Sequence, residues 1–275
     1  MSITMGCDPE LFLFDNLEQR IVPAVGKIGG SKTKPMKLDG GMVQLDGTLV
    51  EFGIDPDGDI GKVINIIRTK LDNRYHGRYE LRCGSTVAYD PRDISPDSPA
   101  LDVGCSPQFM FDQRRNLVQV SSGITQTPID RVHAGGHIHI GFTQDQRIDD
   151  PVMLQSCYMF SRCLRSVTDI ESGGSLRRLD VLNNTRLPVI RIKPYGIEWR
   201  NPCSYWLADK DIFPLFGDLM EHIFQQLCLG YTHENIMASP YYQQVRAKLF
   251  VKSALISRAA LCVPEKYQGT LPLDY

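Results

Sequence analysis

The sequence has no CxxC pair, no apolar run of about 20 residues, no GxxxxGK[ST] motif and no excess of charge of one sign. Each absence excludes a class. The eight cysteines (Cys7, Cys83, Cys105, Cys157, Cys163, Cys203, Cys228 and Cys262) are scattered through apolar or helical contexts. They read as small core residues of a reduced, cytoplasmic protein, not as a disulfide framework or a zinc site. The opening "MSITMGCDPE" reaches charge at once and contains no signal-peptide apolar stretch. Without a long apolar run, no helix is expected to span a bilayer. Thirty Lys and Arg face 32 Asp and Glu, a net charge of −2, so no global basic field points to nucleic acid or an anionic membrane. Without GxxxxGK[ST] the chain is not a P-loop protein, and "GKIGGSK" at 26–32 matches that motif only superficially. It reads first as a flexible basic loop, although such a loop can close over phosphates.

What is present is enough apolar residue, 42% of 275, to fill a core without staples. Strand patterns are expected over 4–14, 20–25, 43–54, 134–142 and 186–200, and Asp46-Gly47 is the strongest short hairpin signal. Pro9 removes a ladder donor, which predicts an edge or a bulge there. The stretch 26–41, rich in Gly and Lys, reads as a mobile loop, and 90–108, rich in Pro and Asp, as loop. Helical spacing marks 59–73, through Ile60, Val63, Ile64, Ile67 and Leu71, and also 150–172, 211–230 and 239–261. The tail after Pro264 is expected to be irregular. Strands and helices mix without a βαβ rhythm, so the fold class is α+β with a mainly antiparallel sheet.

The chemistry-bearing residues fall on the strands at two-residue spacing, which puts them on one face. Asp8 and Glu10 share a face, with Leu11 and Leu13 opposite. Glu51 points away from Val50, Phe52 and Ile54. His137 and His139 alternate with Ile138 and Ile140, and the nearby glycines allow close approach to the backbone. Glu198 and Arg200 alternate with Ile197 and Trp199. Taken alone, Glu198 and Arg200 read equally well as a cross-strand ion pair. In "RIKPYGIEWRNP" at 191–202, read as one strand with a kink, Arg191 and Lys193 are odd-numbered while Glu198 and Arg200 are even. One face can hold all four only if a bulge or turn at Tyr195-Gly196 changes the parity.

Clustered carboxylates and imidazoles make a metal site, and the dominance of oxygen donors suits Mg2+ or Mn2+ over structural zinc. Carboxylate-held Mg2+ commonly meets substrate phosphates. Arg177, Arg178, Arg186, Arg191, Lys193 and Arg200 lie within 24 residues and match phosphate oxygens. A metal-dependent hydrolase, a phosphotransferase and a non-catalytic structural or binding protein remain alternatives at this point.

In order, "GCDPELFL", "LDGTLVEFGI", "GGHIHIG" and "RIKPYGIEWRNPCSYW" resemble the carboxylate–amine ligases of the glutamine synthetase and glutamate–cysteine ligase superfamily. The likeness is greatest to a phage-encoded group of COOH–NH2 ligases (amidoligases). It spans about residues 4–210 of a single domain over 1–275, with C-terminal helices at 211–262 carrying no motif. The resemblance implies a glutamine synthetase-like catalytic domain, with an open active-site face on the sheet and helices on the other. It implies ATP and Mg2+ (or Mn2+), and an amide formed through an acyl phosphate. Metal ligands would be Asp8, where the family usually has glutamate, with Glu10, Glu51, His137 and Glu198. His139, Arg186, Arg191, Lys193 and Arg200 would contact the nucleotide, and Glu51, Arg191 and Arg200 would carry catalysis. The acid and amine, whether small molecule, peptide or modified base, are left open, as is the oligomeric state. The expected location is cytoplasmic, in the host cytoplasm if the chain is phage-encoded.

Overall fold

The computed structural model describes residues 3–56, 58–88, 90–93, 108–111, 117–120, 131–142, 152, 154–160, 189–200, 202–262 and 270–273. Its spine is β1 (Ile3–Asp15), a 13-residue strand. The first part of β1 pairs on one side with β11 (Gly136–Phe142) and on the other with β5 (Leu49–Ile54); its last residues pair with β2 (Arg20–Val22) and β6 (Tyr79–Gly84). Outward from β5 come β4 (Gly41–Asp46) and β3 (Met36–Leu38). Outward from β11 come β13 (Gly196–Trp199), β12 (Val189–Lys193), β8 (Gln108–Phe111) and β9 (Leu117–Val120). β14 (Thr270–Pro272) pairs with β6, while β7 (Thr86–Ala88) and β10 (Arg131–His133) form a separate pair. Every strand pair among the described residues is antiparallel, as the α+β reading expects.

Period-two alternation gives the sheet two unlike faces. On one, Met5, Cys7, Leu11, Leu13, Val50, Phe52, Ile138, Ile140, Ile197 and Trp199 join a single buried cluster. Helices supply its other half: α1 (Ile60–Tyr75) through Ile60, Val63, Ile64, Ile67 and Leu71, and α2 (Ile212–Cys228) through Ile212, Phe216, Leu219 and Ile223. Between α2 and the last helix lies the short α3 (His233–Ala238), followed by α4 (Pro240–Cys262), which adds Val245 and Leu249. Each such side chain contributes about 1.5–3 kcal/mol by leaving water, so this face holds the helices to the sheet. α1 starts where Asp59 accepts a hydrogen bond from the Lys62 N–H and stops where His76 turns left-handed ahead of Gly77. Cys7, Cys83, Cys157 and Cys203 are buried, in keeping with thiols used as small core groups, whereas Cys228 at the end of α2 is exposed.

Several expectations need correction. β1 is neither an edge nor bulged at Pro9: its registers with β5 and β11 are constant. Glu10 N–H donates to Gly135 O, so the N–H that Pro9 lacks would have faced β5. The β1–β5 ladder skips positions 8 and 9 at that place. The glycine- and lysine-rich stretch contains β3 and a Ser31–Lys34 bridge instead of being all loop. Gly30 (φ +94°) lies so close to β4 that a Cβ would meet Val43 O at 2.5 Å. The tail carries β14, because its backbone completes the free edge of β6. "RIKPYGIEWR" is not one kinked strand but a hairpin, β12 and β13, turning through Pro194-Tyr195. Of the helix expected at 150–172, residues 154–160 are helical, and the rest lies largely outside the described residues, as does most of the 90–108 loop. No helix among the described residues is long and apolar enough to cross a membrane.

The hairpin is locked to β11 at one point. A Cβ on Gly196 would lie 2.0 Å from Ile140 O, and its φ of +155° disfavours other residues. Gly196→Ala is expected to cost at least about 2 kcal/mol of stability through this clash, read from the shift in urea midpoint. An unchanged midpoint would contradict the Gly141–Gly196 pairing.

Candidate metal and phosphate site

The other face of the sheet is polar, and strand register assembles it. Along β1 the even positions Gly6, Asp8 and Glu10 face this side. Glu10 stands opposite Glu51, which stands opposite Gln44. Asp8 stands opposite His137. One step along, His139 stands opposite Glu198, and Glu198 opposite Arg191. The parity problem of residues 191–200 is resolved by the hairpin, which brings Arg191 and Lys193 to the same face as Glu198.

Two groups of potential ligands result. In the first, donor atoms of Asp8, His139 and Glu198 all lie within 4.8 Å of one another. Asp8 Oδ1 is 3.1 Å from His139 Nε2 and 3.2 Å from His137 Nδ1, and His137 Nδ1 is 3.7 Å from Glu198 Oε1. Both imidazoles therefore reach Asp8. Burial alone would raise the Asp8 carboxyl, but the charge of the closely placed His137 and His139 overcomes it and holds it far below the ordinary carboxylate range. Glu198 is fully buried and accepts contacts from Arg191 Nη1 (3.1 and 3.2 Å), Lys193 Nζ (2.8 Å) and Arg200 Nε (3.2 Å). Burial raises its carboxyl, yet His137 and these cations bring it below the usual value. With neutral imidazoles, the formal charge here is +3 from the cations and −2 from Asp8 and Glu198, or +1.

The second group is Glu10, Asp46 and Glu51, again with donor atoms within 4.8 Å. Glu10 Oε2 accepts the Gly135 N–H at 2.6 Å, and Gln44 Nε2 donates to Glu51. Lys32, from the loop before β3, places its ammonium 2.5 Å from Asp46 Oδ1. Three carboxylates and one ammonium give −2 when all are ionised. Burial first, then repulsion from Glu10, Asp8 and Asp46, pushes the Glu51 carboxyl up to about 8.

These residues fit divalent ions. Asp8 Oδ1 and His139 Nε2 are buried 3.1 Å apart and make no hydrogen bond of adequate geometry. The second group keeps negative charge that its own lysine does not neutralise, even with Glu51 protonated. Oxygen donors dominate both groups, which suits Mg2+ or Mn2+. The cationic trio beside them suits phosphate oxygens.

The expected residues Asp8, Glu10, Glu51, His137, His139, Arg191, Lys193, Glu198 and Arg200 all come to this face. Arg186, with Arg177 and Arg178, lies outside the described residues. Sequence reasoning missed Asp46, Lys32 and Tyr195. Asp46 was assigned to the turn, but the two turn residues are Gly47 and Thr48, so Asp46 ends β4 on the polar face. Lys32 sits in the "GKIGGSK" loop, whose only signal was its charge. Tyr195, whose hydroxyl lies 2.6 Å from His139 Nδ1, read only as a parity-changing position. No protein-family model and no curated protein matches the chain.

Glu51 yields a stability prediction. Its carboxyl is raised in the fold above the ordinary 4.5, so stability is fully present below that pH and is lost as pH rises through about 8. Metal-free Glu51→Gln is therefore expected to melt several degrees above metal-free wild type near pH 9, with the gap closing near pH 5. Melting curves at the two pH values check this; a gap independent of pH would contradict the raised carboxyl.

Proposed function

We propose that the polar face is the active site of an ATP- and Mg2+-dependent carboxylate–amine ligase. The observation that carries this is the polarised face: a carboxylate-rich end and a cation-rich end lie on either side of β1, which contributes Glu10 to the first and Asp8 to the second. Asp8 and Glu10 on that strand are about 7 Å apart at the strand rise, the scale of a triphosphate's reacting end. A phosphoanhydride with its cations needs both ends at once. The resemblance of the four strand motifs to the amidoligases supports the same reading.

Divalent ions, when bound, would neutralise phosphate charge and polarise the bond to be broken. Asp8, His139 and Glu198 would hold one, with His137 beside them, and Glu10, Asp46 and Glu51 another. The remaining work falls to the chain. Arg191 and Arg200, held rigid by buried Glu198, face the γ-phosphoryl oxygens and stabilise the charge that develops during transfer. A substrate carboxylate oxygen attacks the γ-phosphorus, the anhydride bond to the β-phosphate breaks, and ADP leaves as the acyl phosphate forms. The amine nitrogen then attacks the acyl carbon, the C–O bond to phosphate breaks, and phosphate leaves. We assign removal of the ammonium proton to an ionised carboxylate of the acidic end, Glu10, Asp46 or Glu51, which attracts the ammonium and takes its proton as the nitrogen attacks. Lys193 adds charge beside the departing phosphate.

Calorimetric titration with a non-hydrolysable ATP analogue is the primary test. Binding is expected with Mg2+ and not without it, and to be lost in Glu198→Gln, which loosens the three cations. Absence of Mg2+-dependent binding to wild type would overturn the proposal. Phosphate release in mixtures of acids and amines should then require both substrates, and Arg191→Ala should lower turnover by about 100-fold or more. ADP formation from ATP and an acid without any amine, at the full rate, would instead assign a carboxylate kinase.

A further inference from the structure

Pro194 and Tyr195 form the tip of the β12–β13 hairpin, between the paired residues Lys193 and Gly196. The tip is pinned, because Gly196 sits against Ile140 O on β11, one residue beyond His139. Tyr195 therefore lies over His139. The two rings are 17° from parallel with centroids 5.8 Å apart, and Tyr195 Oη is 2.6 Å from His139 Nδ1. On the far side of the imidazole, Nε2 is buried 3.1 Å from Asp8 Oδ1.

We propose that Tyr195 is a positioning residue that sets the tautomer of His139, making Nε2 a ligand for a divalent ion shared with Asp8 and Glu198. This inference rests on the metal-site reading above. A neutral imidazole carries one N–H, and its position is fixed by the partner of the other nitrogen. A hydroxyl can serve either way. With the proton on Nε2, Tyr195 O–H donates to Nδ1 and Nε2–H faces Asp8. With the proton on Nδ1, it donates to Tyr195 Oη, and the Nε2 lone pair faces the Asp8 carboxylate. Two acceptors at that separation repel, and a cation between them turns the repulsion into coordination. Tyr195 thus gives Nδ1 a partner in both states, and His139 becomes a ligand without losing a hydrogen bond. Partners of this kind, one bond behind a ligating imidazole, orient it and raise its basicity. The phenol is suited to the role because a tyrosine hydroxyl stays protonated at neutral pH and can both donate and accept. Tyr195 is also 47% exposed, outside the core cluster, so its hydroxyl is not needed for packing.

Tyr195→Phe keeps the ring and removes only the hydroxyl. Mn2+ titration followed by the electron paramagnetic resonance of the free ion is expected to show binding weakened about 10- to 100-fold, with an unchanged melting temperature. In the same proteins with Mg2+, 15N shifts of the His139 imidazole are expected to report one tautomer, protonated at Nδ1, in wild type and a mixture in Tyr195→Phe. Affinity and 15N pattern both equal to wild type would overturn the assignment. His139→Gln separates the two levels. If it weakens Mn2+ binding while Tyr195→Phe does not, the positioning role alone falls. If wild type binds no Mn2+, or His139→Gln binds it as wild type does, the metal reading falls and this inference with it.

Discussion

The register of β1 with its two neighbours is the constraint on which everything else depends. A shift of one residue against β5 or β11 would send Glu51 or the histidines into the helix-packed core and bring isoleucines to the open face. What prevents that shift is the apolar set on the opposite parity. Leu11, Val50, Phe52, Ile138 and Ile140 are almost completely buried, and a one-residue slip would turn their strand's apolar set toward the open face. Packing of the core thus fixes the placement of charges that make no contact with it. Even Pro9 obeys this register, its missing N–H being absorbed by a gap in one ladder and not by a bulge.

Given that register, electrostatics divides the polar face. Glu198 alone could not remain ionised with no exposure to water. Arg191, Lys193 and Arg200 make it tolerable, and in doing so they are held in fixed positions with charge to spare. At the other end the imbalance is reversed: Glu10, Asp46 and Glu51 crowd around a single ammonium, and Glu51 responds by retaining a proton to high pH. A protein selected for stability alone would relieve both ends. Retaining opposite imbalances on one sheet face is the pattern expected of a site whose charge balance is completed by something bound.

Much of this was legible in the sequence because period-two alternation is visible without a structure. Asp8 and Glu10 against Leu11 and Leu13, and His137 and His139 against Ile138 and Ile140, declare their faces directly. Helices α1, α2 and α4 were legible for the same reason at helical spacing, with Asp59 and the Ser239-Pro240 step marking two of the starts. What was not legible depended on partners distant in sequence. β14 is a strand only because β6 has a free edge. Asp46 changes role when a turn moves by one residue, from loop tip to ligand. The kink inferred for residues 191–200 identified the parity conflict correctly, but its resolution by a full reversal of the chain depended on β12 finding β13 beside β11.

That reversal links fold and chemistry most directly. As a kinked single strand, residues 191–200 would place Arg191 and Glu198 far apart along one line. As a hairpin they become directly opposed neighbours, and the same turn lifts Tyr195 over His139. The close contact of Gly196 with Ile140 O is what allows the turn to sit there, since any side chain would push β13 away from β11 and separate Glu198 from His139. One glycine without a charge or a hydrogen-bonding side chain therefore determines the spacing of the imidazole, the buried carboxylate and the cations. The chemistry of the face is carried by polar residues, but its geometry is set by the backbone approach that this glycine permits.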